Sequence, residues 1–405
     1  MYYTKEEVME YVSQEDIKFI RLAYCDIFGK PKNIAVMPSE LSRAFETGIP
    51  FDASAVHGFG REEASDLFLF PDPKTLSMLL WRPSHGKVVR MLCNVMSPDG
   101  RQFPYDSRYM LTKAIADARD MGIMCYFGAE FEFYLFKTDE NGLPTKTPFD
   151  NAGYTDIAPE DSGENVRREI CLTLEEMGIQ PERSHHEEGP GQNEIDFRYS
   201  DALSAADNAI TFKTVVKTIA ARNGLSASFE PKPLHSECGN GMHINLSPQS
   251  LAGRDIFMPF MAGVLAHVKE MTLFLNPTAN SYERLGGYKA PKYITWSPQN
   301  RSQLIRLPAA DKVRSRIELR SPDATANPYL AFALIIWAGL DGVRNGMVPP
   351  PSTDLNLYKA PVELLKTFQK LPENLAEAKA AARDSIFIGN VLPEAVLEEY
   401  CARTD

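Results

Sequence analysis

The sequence predicts an α+β protein with two domains, a small β-rich domain followed by a larger domain that mixes strands and helices. The first observation is length, since 405 residues exceed what one small core needs. The second is that short strand-like runs fill the first hundred residues, whereas long helical runs begin only after them. The third is the turn-forming run Ser97-Pro98-Asp99-Gly100, followed by Pro104. We therefore place the domains at residues 1–104 and 105–405.

The N-terminal domain begins with an amphipathic helix over residues 4–13, for which Thr4 is the expected N-cap. Alternating apolar residues predict strands over 18–24, 32–37, 66–70, 76–81 and 88–95. The loop 51–59 (FDASAVHGF) lies between the second and third strands and carries Asp52. Taken alone, Asp52 is expected to cap a turn.

Apolar periodicity predicts the helices of the larger domain over 107–121, 162–177, 202–223 and 256–275. Ser162 is the expected N-cap of the second helix, and Gly224 is expected to end the third. A last apolar helix opens at Asn327-Pro328. The segment 280–291 is predicted to be a loop because it contains Gly286-Gly287, and 300–306 and 316–320 are predicted to be strands.

The segment Gly128–Phe136 (GAEFEFYLF) has the alternation of a strand with two different faces. One face carries Phe131, Phe133 and Leu135, and the other carries Glu130, Glu132 and Tyr134. An isolated Glu-x-Glu pair is most often a solvated strand face whose acids pair with lysine or arginine. Further acids and a histidine elsewhere in the chain favour a shared site instead.

Two later segments supply those groups. In 185–197 (HHEEGPGQNEIDF) a strand stops at a Gly-Pro-Gly turn and resumes, which gives Glu187 and Glu194 a way to meet. In 238–247 (CGNGMHINLS) the two glycines permit close backbone approach, and His243 follows on a strand. A lone histidine at such a position is more often structural, so its role stays open on the residues alone.

Arginines recur within a stretch of 37 residues, and five of them are candidates for a site: Arg284, Arg301, Arg306, Arg316 and Arg320. A surface salt-bridge lattice explains some of them. Their strand alternation beside acids and Gly-rich turns favours binding of phosphate and carboxylate oxygens. In the second predicted strand of this region, Arg316, Glu318 and Arg320 share one face.

Glutamates with one imidazole suit Mg²⁺ or Mn²⁺ better than zinc, which more often recruits cysteine. Cations would neutralise the acidic face, and guanidiniums would stabilise charge on a transferring phosphoryl group. The sequence contains no GxxxxGK[ST], no GxGxxG after a strand and no GxSxG, which removes the main support for P-loop, Rossmann and α/β-hydrolase folds. The residues themselves therefore predict a metal-dependent, phosphate-handling enzyme.

The net charge, the cysteines and the apolar runs of the sequence indicate the expected partners and compartment of the protein. The net charge of -11 argues against nucleic acid or an anionic membrane as a partner. The six cysteines are far apart and form no CxxC pair, which is typical of reduced thiols. The longest apolar run, Leu330–Leu340, is too short to span a bilayer. We therefore expect a cytoplasmic protein with no membrane partner.

Eight segments in order between about Phe19 and Leu340 carry a family resemblance: FDASAVHGF, GAEFEFYLF, GYTDIAPEDSGENVRREI, HHEEGPGQNEIDF, GNGMHINLS, NSYERLGGYKAP, NRSQLIRLP and RIELRSPDATANPYLA. In this order they resemble class I glutamine synthetases of the bacterial and archaeal type. The resemblance implies a β-grasp-like N-terminal domain and a catalytic domain with a mainly antiparallel sheet and flanking helices. It also implies stacked hexameric rings, a homododecamer, with active sites completed between subunits.

The resemblance assigns two or three divalent ions, Mg²⁺ or Mn²⁺, to each active site. By this resemblance Glu132, Glu187 and Glu194 would hold one ion on the substrate side. A second ion, on the ATP phosphates, would be held by Glu130, His243 and Glu318.

The resemblance also assigns the remaining site residues. Substrate glutamate would be held by Gly239, Arg284 and Arg320 with Tyr154 nearby, and the nucleotide and transferred phosphate by Ser247, Arg301, Arg306 and Arg316. Asp52 of the adjacent subunit would deprotonate ammonium, and Arg301 and Arg320 would act in catalysis. The implied reaction makes γ-glutamyl phosphate from glutamate and ATP, and ammonia then displaces phosphate to give glutamine.

Four positions depart from the family pattern. Lys289 stands where ammonium-using members usually carry glutamate, and a cation there should repel ammonium. Cys238 replaces a common asparagine, Ala55 a serine and Glu188 a valine. Tolerated divergence, with the lysine turned to solvent, is the mild explanation. The alternatives are a γ-glutamyl ligase for another amine, such as a polyamine, and a catalytically weak regulatory paralogue.

Overall fold

Two β-sheets organise the chain, and the computed structural model describes residues 3–60, 64–82, 85–309 and 315–404 of it. The N-terminal sheet contains β1 (Ile17–Cys25), β2 (Pro31–Val36), β3 (Ile49–Asp52), β4 (Asp66–Pro71), β5 (Ser77–Met78) and β6 (Lys87–Met96). Its order is β2-β1-β6-β4-β3, with β5 paired to β6. The β1–β6 pair is parallel and the other pairs are antiparallel.

The second sheet forms the centre of the larger domain and has ten strands. They are β7 (Ile123–Thr138), β8 (Pro144–Pro148), β9 (Pro181–His186), β10 (Gln192–Phe197), β11 (Ser200–Asp201), β12 (Leu225–Ser228), β13 (Met242–Ser250), β14 (Trp296–Ser297), β15 (Ile305–Arg306) and β16 (Ile317–Leu319). The main order is β14-β15-β16-β13-β7-β10-β9, and β8, β11 and β12 also pair with β7. All pairs except β14–β15 are antiparallel.

Helices flank both sheets and begin at recognisable caps. They are α1 (Lys5–Gln14), α2 (Leu41–Glu46), α3 (Ser107–Asp120), α4 (Glu164–Glu176), α5 (Ala202–Arg222), α6 (Phe257–Leu275), α7 (Ala279–Arg284), α8 (Pro328–Arg344), α9 (Val362–Leu365), α10 (Leu375–Arg383), α11 (Ile386–Val391) and α12 (Glu394–Ala402). Thr4 and Glu7 form a capping box on α1, and Asn327 caps α8 with Pro328 as its first residue. Gly224, at φ +70°, follows α5. The caps predicted at these three helices are therefore confirmed.

The largest core lies between the second sheet and helices α3, α5, α6 and α8. Phe131, Phe133 and Leu135 on β7 are fully buried, as the alternation predicts. Helices α6 and α8 cross closely, since a Cβ at Gly263 would lie 2.1 Å from the Ala338 carbonyl oxygen. No helix in the described part of the chain has the length and apolar character needed to cross a membrane.

Several sequence predictions were wrong. Helix α4 begins one residue after Gly163, and the cap makes no side-chain hydrogen bond, so Ser162 is not its N-cap. The strand predicted over 76–81 pairs only at Ser77–Met78, because the chain turns where Arg82 N–H donates to the Leu79 carbonyl. The predicted loop 280–291 begins with α7, which a capping box from Thr278 stabilises. The strands predicted over 300–306 and 316–320 shorten to β15 and β16.

Arg108 at the start of α3 joins the two domains. Its guanidinium is buried and donates to Asp207 Oδ1 and Oδ2 at 3.1 and 3.0 Å within the larger domain. It also donates to Asp72 Oδ2 at 2.8 Å and Asn94 Oδ1 at 2.6 Å in the N-terminal domain. Tyr329 donates to Asp207 Oδ1 at 2.7 Å, which completes the network. The division between residues 104 and 105 stays our prediction.

Candidate active site

Three adjacent strands present acids on one face of the second sheet. Glu130 and Glu132 lie on the face of β7 opposite its buried aromatic residues. The antiparallel register places Glu194 of β10 opposite Glu132, and His243 of β13 opposite Glu130. Since cross-strand pairs have Cβ atoms ~5 Å apart, segments distant in sequence converge here.

Glu130, His243 and Glu318 form the first cluster, in which one ligand atom from each lies within 4.8 Å of the others. His243 Nδ1 lies 3.4 Å from Glu130 Oε2, and Asn245 Nδ2 donates to Glu130 Oε1 at 2.9 Å. Burial alone would raise the pKa of Glu130, but these two hydrogen bonds and the charge of Arg183 lower it to about 2. Glu130 is therefore ionised and suited to a divalent ion.

Glu318 lies on β16 and is buried between the guanidiniums of two arginines. Arg306 Nη2 lies 2.5 Å from Glu318 Oε2, and Arg320 Nε lies 3.2 Å from Glu318 Oε1. Neither contact has hydrogen-bond geometry, so both carboxylate oxygens keep acceptor capacity although they are buried. A fully buried carboxylate whose oxygens keep acceptor capacity is suited to binding a cation.

Glu187, Glu194 and His185 form the second cluster, again within 4.8 Å. His185 Nδ1 lies 3.7 Å from Glu187 Oε1, and His185 Nε2 lies 3.4 Å from Glu194 Oε1. Burial, then the charge of Glu132, raises the pKa of Glu187 to about 8. Burial, then the charge of Asp196, raises the pKa of Glu194 well above its usual range. Such crowding of buried acids is what a bound cation relieves.

Glu132 stays a predicted metal ligand, and the close group that contains Glu187 and Glu194 also includes His185. Glu132 Oε2 accepts a hydrogen bond from the Gly241 N–H at 2.6 Å. That bond joins β7 to the start of β13. Glu132 remains beside the cluster, since its charge acts on both Glu187 and Glu194.

Sequence reasoning missed His185 and Asp196 as site residues. Asp196 lies within 4.8 Å of Glu130 and Glu194, and Arg183 Nη2 approaches its Oδ2 at 2.6 Å. Burial, then the charge of Glu130, raises the pKa of Asp196 to about 6. The alternation of Glu194 and Asp196 along one strand was the available signal.

The hairpin that carries Glu187 is supported by a buried histidine. His186 Nδ1 lies 2.7 Å from the Glu187 carbonyl oxygen, and its Nε2 lies 2.9 Å from Asp150 Oδ1. Asp161 lies near this pair but is bonded to Arg167. Because these acids already have protein partners, we interpret this group as a support for Glu187.

Arg284 and Arg320 are buried next to the clusters. Arg284 Nη1 donates to the Ser321 carbonyl at 2.8 Å, and Arg320 Nη1 donates to the Arg301 carbonyl at 2.8 Å. Burial lowers the pKa of Arg284. A Cβ at Gly239 would lie 2.8 Å from Arg284 Cγ, and one at Gly241 would lie 2.5 Å from Arg284 Nη2. The glycines that the sequence singled out therefore leave room for this guanidinium.

The other predicted nucleotide residues lie around the first cluster. Arg316 Nε donates to Asn245 Oδ1 at 2.9 Å, and Ser247 Oγ donates to the Ser315 carbonyl at 3.1 Å. The Arg301 side chain is exposed, whereas its backbone contacts Arg320. These positions stay predictions as nucleotide ligands.

Asp52 and Tyr154 lie at the surface. Asp52 Oδ1 accepts from Ser54 N–H at 2.9 Å and from Ser54 Oγ at 2.6 Å, so within this chain it caps a turn. The Tyr154 ring is 54% exposed and packs edge-on against His185 at 5.3 Å. The role of Asp52 in an adjacent subunit stays a prediction.

Lys289 points at an acid beside the second cluster. Its ammonium forms an ion pair with Glu188 Oε1 and lies 5.6 Å from the centre of the Tyr154 ring. The thiol of Cys238 approaches Glu188 Oε2 at 3.6 Å. Glu188 therefore contacts two of the other departures, Cys238 and Lys289, and the Lys289 side chain, which is 49% exposed, lies beside the second cluster.

The fold and the site define a class of protein in which clusters of acids suited to divalent ions lie beside buried guanidiniums suited to anionic oxygens. Family models describe residues 16–98 as the glutamine synthetase beta-Grasp domain and residues 104–404 as the glutamine synthetase catalytic domain. The chain belongs to the glutamine synthetase family, and the α+β fold expected from the sequence is confirmed.

Curated relatives agree with this placement. Glutamine synthetase from Clostridium saccharobutylicum is 44% identical over 99% of this chain and 94% of the relative, and the enzyme from Methanosarcina mazei is 46% identical over 99% and 93%. A solved structure named "GmaS/ADP complex-Conformation 1" has a TM-score of 0.87 at 30% identity, covering 97% of this chain and 93% of that one. A cryoEM structure of Plasmodium falciparum glutamine synthetase has a TM-score of 0.87 at 24% identity over 99% and 95%, which shows likeness of fold.

Proposed function

We propose that this protein is an ATP-dependent ligase that joins ammonia to glutamate through γ-glutamyl phosphate, giving glutamine, ADP and phosphate. The observation that carries the proposal is the pair of acidic clusters on β7, β10, β13 and β16, with Arg306 and Arg320 against Glu318. Relatives 42–46% identical over nearly the whole chain are glutamine synthetases.

Two groups of residues are proposed to bind separate metal ions. Glu130, His243 and Glu318 would hold one divalent ion, and Glu187 and Glu194, with Glu132 or His185, would hold another. Divalent ions such as Mg²⁺ or Mn²⁺ would supply charge neutralisation for phosphate oxygens. Two or three ions per site, with Mg²⁺ or Mn²⁺ preferred, remain part of the proposal.

The cations of the chain would orient the anionic reactants. Arg320 and Arg306 are fixed by Glu318 and by the Arg301 carbonyl, so they would meet a phosphoryl group without reorganising. Arg284 is held by backbone carbonyls with Gly239 at its side, which suits a carboxylate of substrate glutamate. Ser247, Arg301 and Arg316 would line the nucleotide.

Completion of the site by a second subunit is also proposed. Asp52 is the last residue of β3 in the N-terminal domain and contacts its own turn, so a base function requires another subunit's site nearby. A homododecamer of two hexameric rings would supply it. Tyr154, at the exposed edge of the second cluster, would lie beside the incoming ammonium.

The proposal is tested by phosphate release from purified protein given ATP, glutamate, ammonium and either Mg²⁺ or Mn²⁺. We expect release that depends on all four components and yields glutamine by amino-acid analysis. Reactions that lack glutamate or ammonium are the controls. Binding of nucleotide without turnover on any amine would overturn the proposal in favour of the regulatory paralogue.

A second candidate, a γ-glutamyl ligase for an amine other than ammonium, is favoured by one observation. The Lys289 ammonium lies against Glu188, beside the proposed metal ligand Glu187. A fixed cation near the acceptor would repel ammonium, whereas a neutral or larger amine carrying its own apolar or anionic groups would be less affected. A panel of ammonium, alkylamines, polyamines and amino acids separates the two candidates by kcat/KM.

The Lys289–Glu188 pair yields a specific prediction. Replacing Lys289 by glutamate alone would place two carboxylates together, so Lys289→Glu is best tested in a Glu188→Val background. If Lys289 excludes ammonium, the double variant should raise kcat/KM for ammonium by about tenfold, or ~1.4 kcal/mol.

Lys292→Glu is the matched control, because the Lys292 ammonium lies over the Tyr293 ring at 5.8 Å. Introduced in the same Glu188→Val background, it makes the same charge change three positions along the chain and should leave the ammonium dependence as it is. An ammonium response in the double variant equal to that of wild type would contradict the placement of Lys289 at the acceptor.

A further inference from the structure

A large cavity, of about 1230 Å³, lies between the two domains and contains none of the proposed metal ligands. Its walls come from the β1–β2 turn, the second half of α5, strand β12 and the end of α12. The β1–β2 turn belongs to the N-terminal sheet and the other elements to the larger domain. A ligand in this cavity would therefore touch both domains.

Basic side chains dominate the wall of the cavity. They are Lys30, Lys146, Lys213, Lys217 and Arg403. Three acids also line it, but two of them are engaged. Asp26 Oδ1 accepts from the backbone N–H groups of Phe28 and Lys30, and Glu230 pairs with Lys146. Glu399 is the third.

Lys213 is partly buried and Lys217 is exposed, and neither ammonium forms an ion pair with a carboxylate within the described part of the chain. Lys213 Nζ donates to the Ala324 carbonyl oxygen at 3.2 Å, and Lys217 Nζ lies 5.9 Å from the centre of the Phe229 ring. A carbonyl and a ring face stabilise an ammonium less than a carboxylate does. These two lysines, one turn apart on α5, thus have unused capacity for an anion.

The electrostatics of the lysines agree with their geometry. Burial lowers the pKa of Lys213 to about 8, and the charge of Lys217 also lowers it. Burial lowers the pKa of Lys217, and the charge of Lys30 lowers it further. Lys217 thus lies near enough to both Lys213 and Lys30 to be repelled by their charges, and a bound anion would relieve this repulsion.

We propose that this interdomain cavity binds a small multivalent anion through Lys30, Lys213 and Lys217. The ligand is of the polyphosphate or polycarboxylate class, because several negative charges on one small molecule would match the three ammoniums. Phe28, Phe136 and Phe229 also line the cavity and offer apolar surface for an organic part of the ligand. Because both domains contribute, the bound anion should tie the N-terminal sheet to the larger domain.

Isothermal titration of the purified protein tests the site, with pyrophosphate and citrate as separate probes at constant ionic strength and without divalent ions. Saturable binding is expected for at least one probe. The probe that binds more tightly shows whether the ligand is of the polyphosphate or the polycarboxylate class. The Lys213→Met, Lys217→Gln double variant should weaken that binding at least tenfold, because two charge-assisted contacts are lost. Absence of saturable binding to the wild-type protein would overturn the proposal.

Lys146→Gln is the matched control, since this lysine lines the same cavity but is paired with Glu230. It should change the dissociation constant less than twofold. The melting temperature of each variant without ligand checks that the fold is intact. Methionine is chosen at position 213 because it removes the charge of a partly buried lysine while keeping the length of the side chain. Binding that persists unchanged in the double variant belongs to another site and would also overturn the proposal.

Discussion

Replacing Glu318 by glutamine should lower kcat/KM for glutamate-dependent phosphate release by about 10³-fold, or ~4 kcal/mol of transition-state stabilisation. Glutamine keeps the size of the side chain but removes the charge that faces Glu130 and His243 in the first cluster. It also leaves the guanidiniums of Arg306 and Arg320 without their shared carboxylate, and these would then repel each other. The measurement is steady-state kinetics with saturating Mg²⁺ or Mn²⁺.

A metal-binding measurement separates this effect from misfolding. Titration of Mn²⁺ followed by electron paramagnetic resonance should show loss or weakening of one class of sites in the Glu318→Gln variant. Glu363→Gln is the control, because that carboxylate is exposed and pairs only with Lys366 in the described structure. Activity of the Glu318→Gln variant close to that of wild type would show that the first cluster does not act in turnover.

Replacing Arg108 by methionine should cost about 3–5 kcal/mol of the free energy of unfolding. The change removes four hydrogen bonds and leaves Asp72 and Asp207 as buried or partly buried carboxylates without their counter-ion. Because the network joins both domains, the N-terminal sheet should loosen together with the larger domain. Urea unfolding followed by fluorescence gives the shift of the midpoint at unchanged protein concentration.

Arg101→Met is the matched control for this prediction. Arg101 is an exposed arginine whose ion pair with Asp99 lies at the surface, so its loss should leave the urea midpoint nearly unchanged. Equal midpoints for the two variants would mean that the interdomain network contributes little. A Tyr329→Phe variant should fall between them, since it removes one hydrogen bond to Asp207.

Much of the fold could be predicted because its signals are local. The alternation from Gly128 to Phe136 predicted both faces of β7, and the buried residues are those expected. Thr4 and Asn327 cap their helices through bonds to residues three or two positions away, which sequence displays directly. Periodicity and caps therefore fixed the central strand and several helix starts.

Most errors and omissions arise where a distant contact decides the local structure. Residues 279–284 are the exception, since a local capping box of Thr278 and Ser281 starts a helix there, whereas the following glycines had predicted a loop throughout. The hydrogen bond from the backbone of Gly241, just before β13, to the Glu132 carboxylate on β7 is such a distant contact. The Lys289–Glu188–Cys238 contact joins three separate loops, and no single segment of the sequence indicates it.

The order of strands across the second sheet has a consequence for the chain as it leaves the ribosome. Strand β7 is synthesised well before β13 and β16, which lie beside it and beyond it in the finished sheet. In that interval a sixteen-residue strand with unpaired edges is open to association with other nascent chains. Glu130 and Glu132 place two like charges on it, which disfavours stacking between copies. The acids that later serve the active site can thus also protect the growing polypeptide from aggregation.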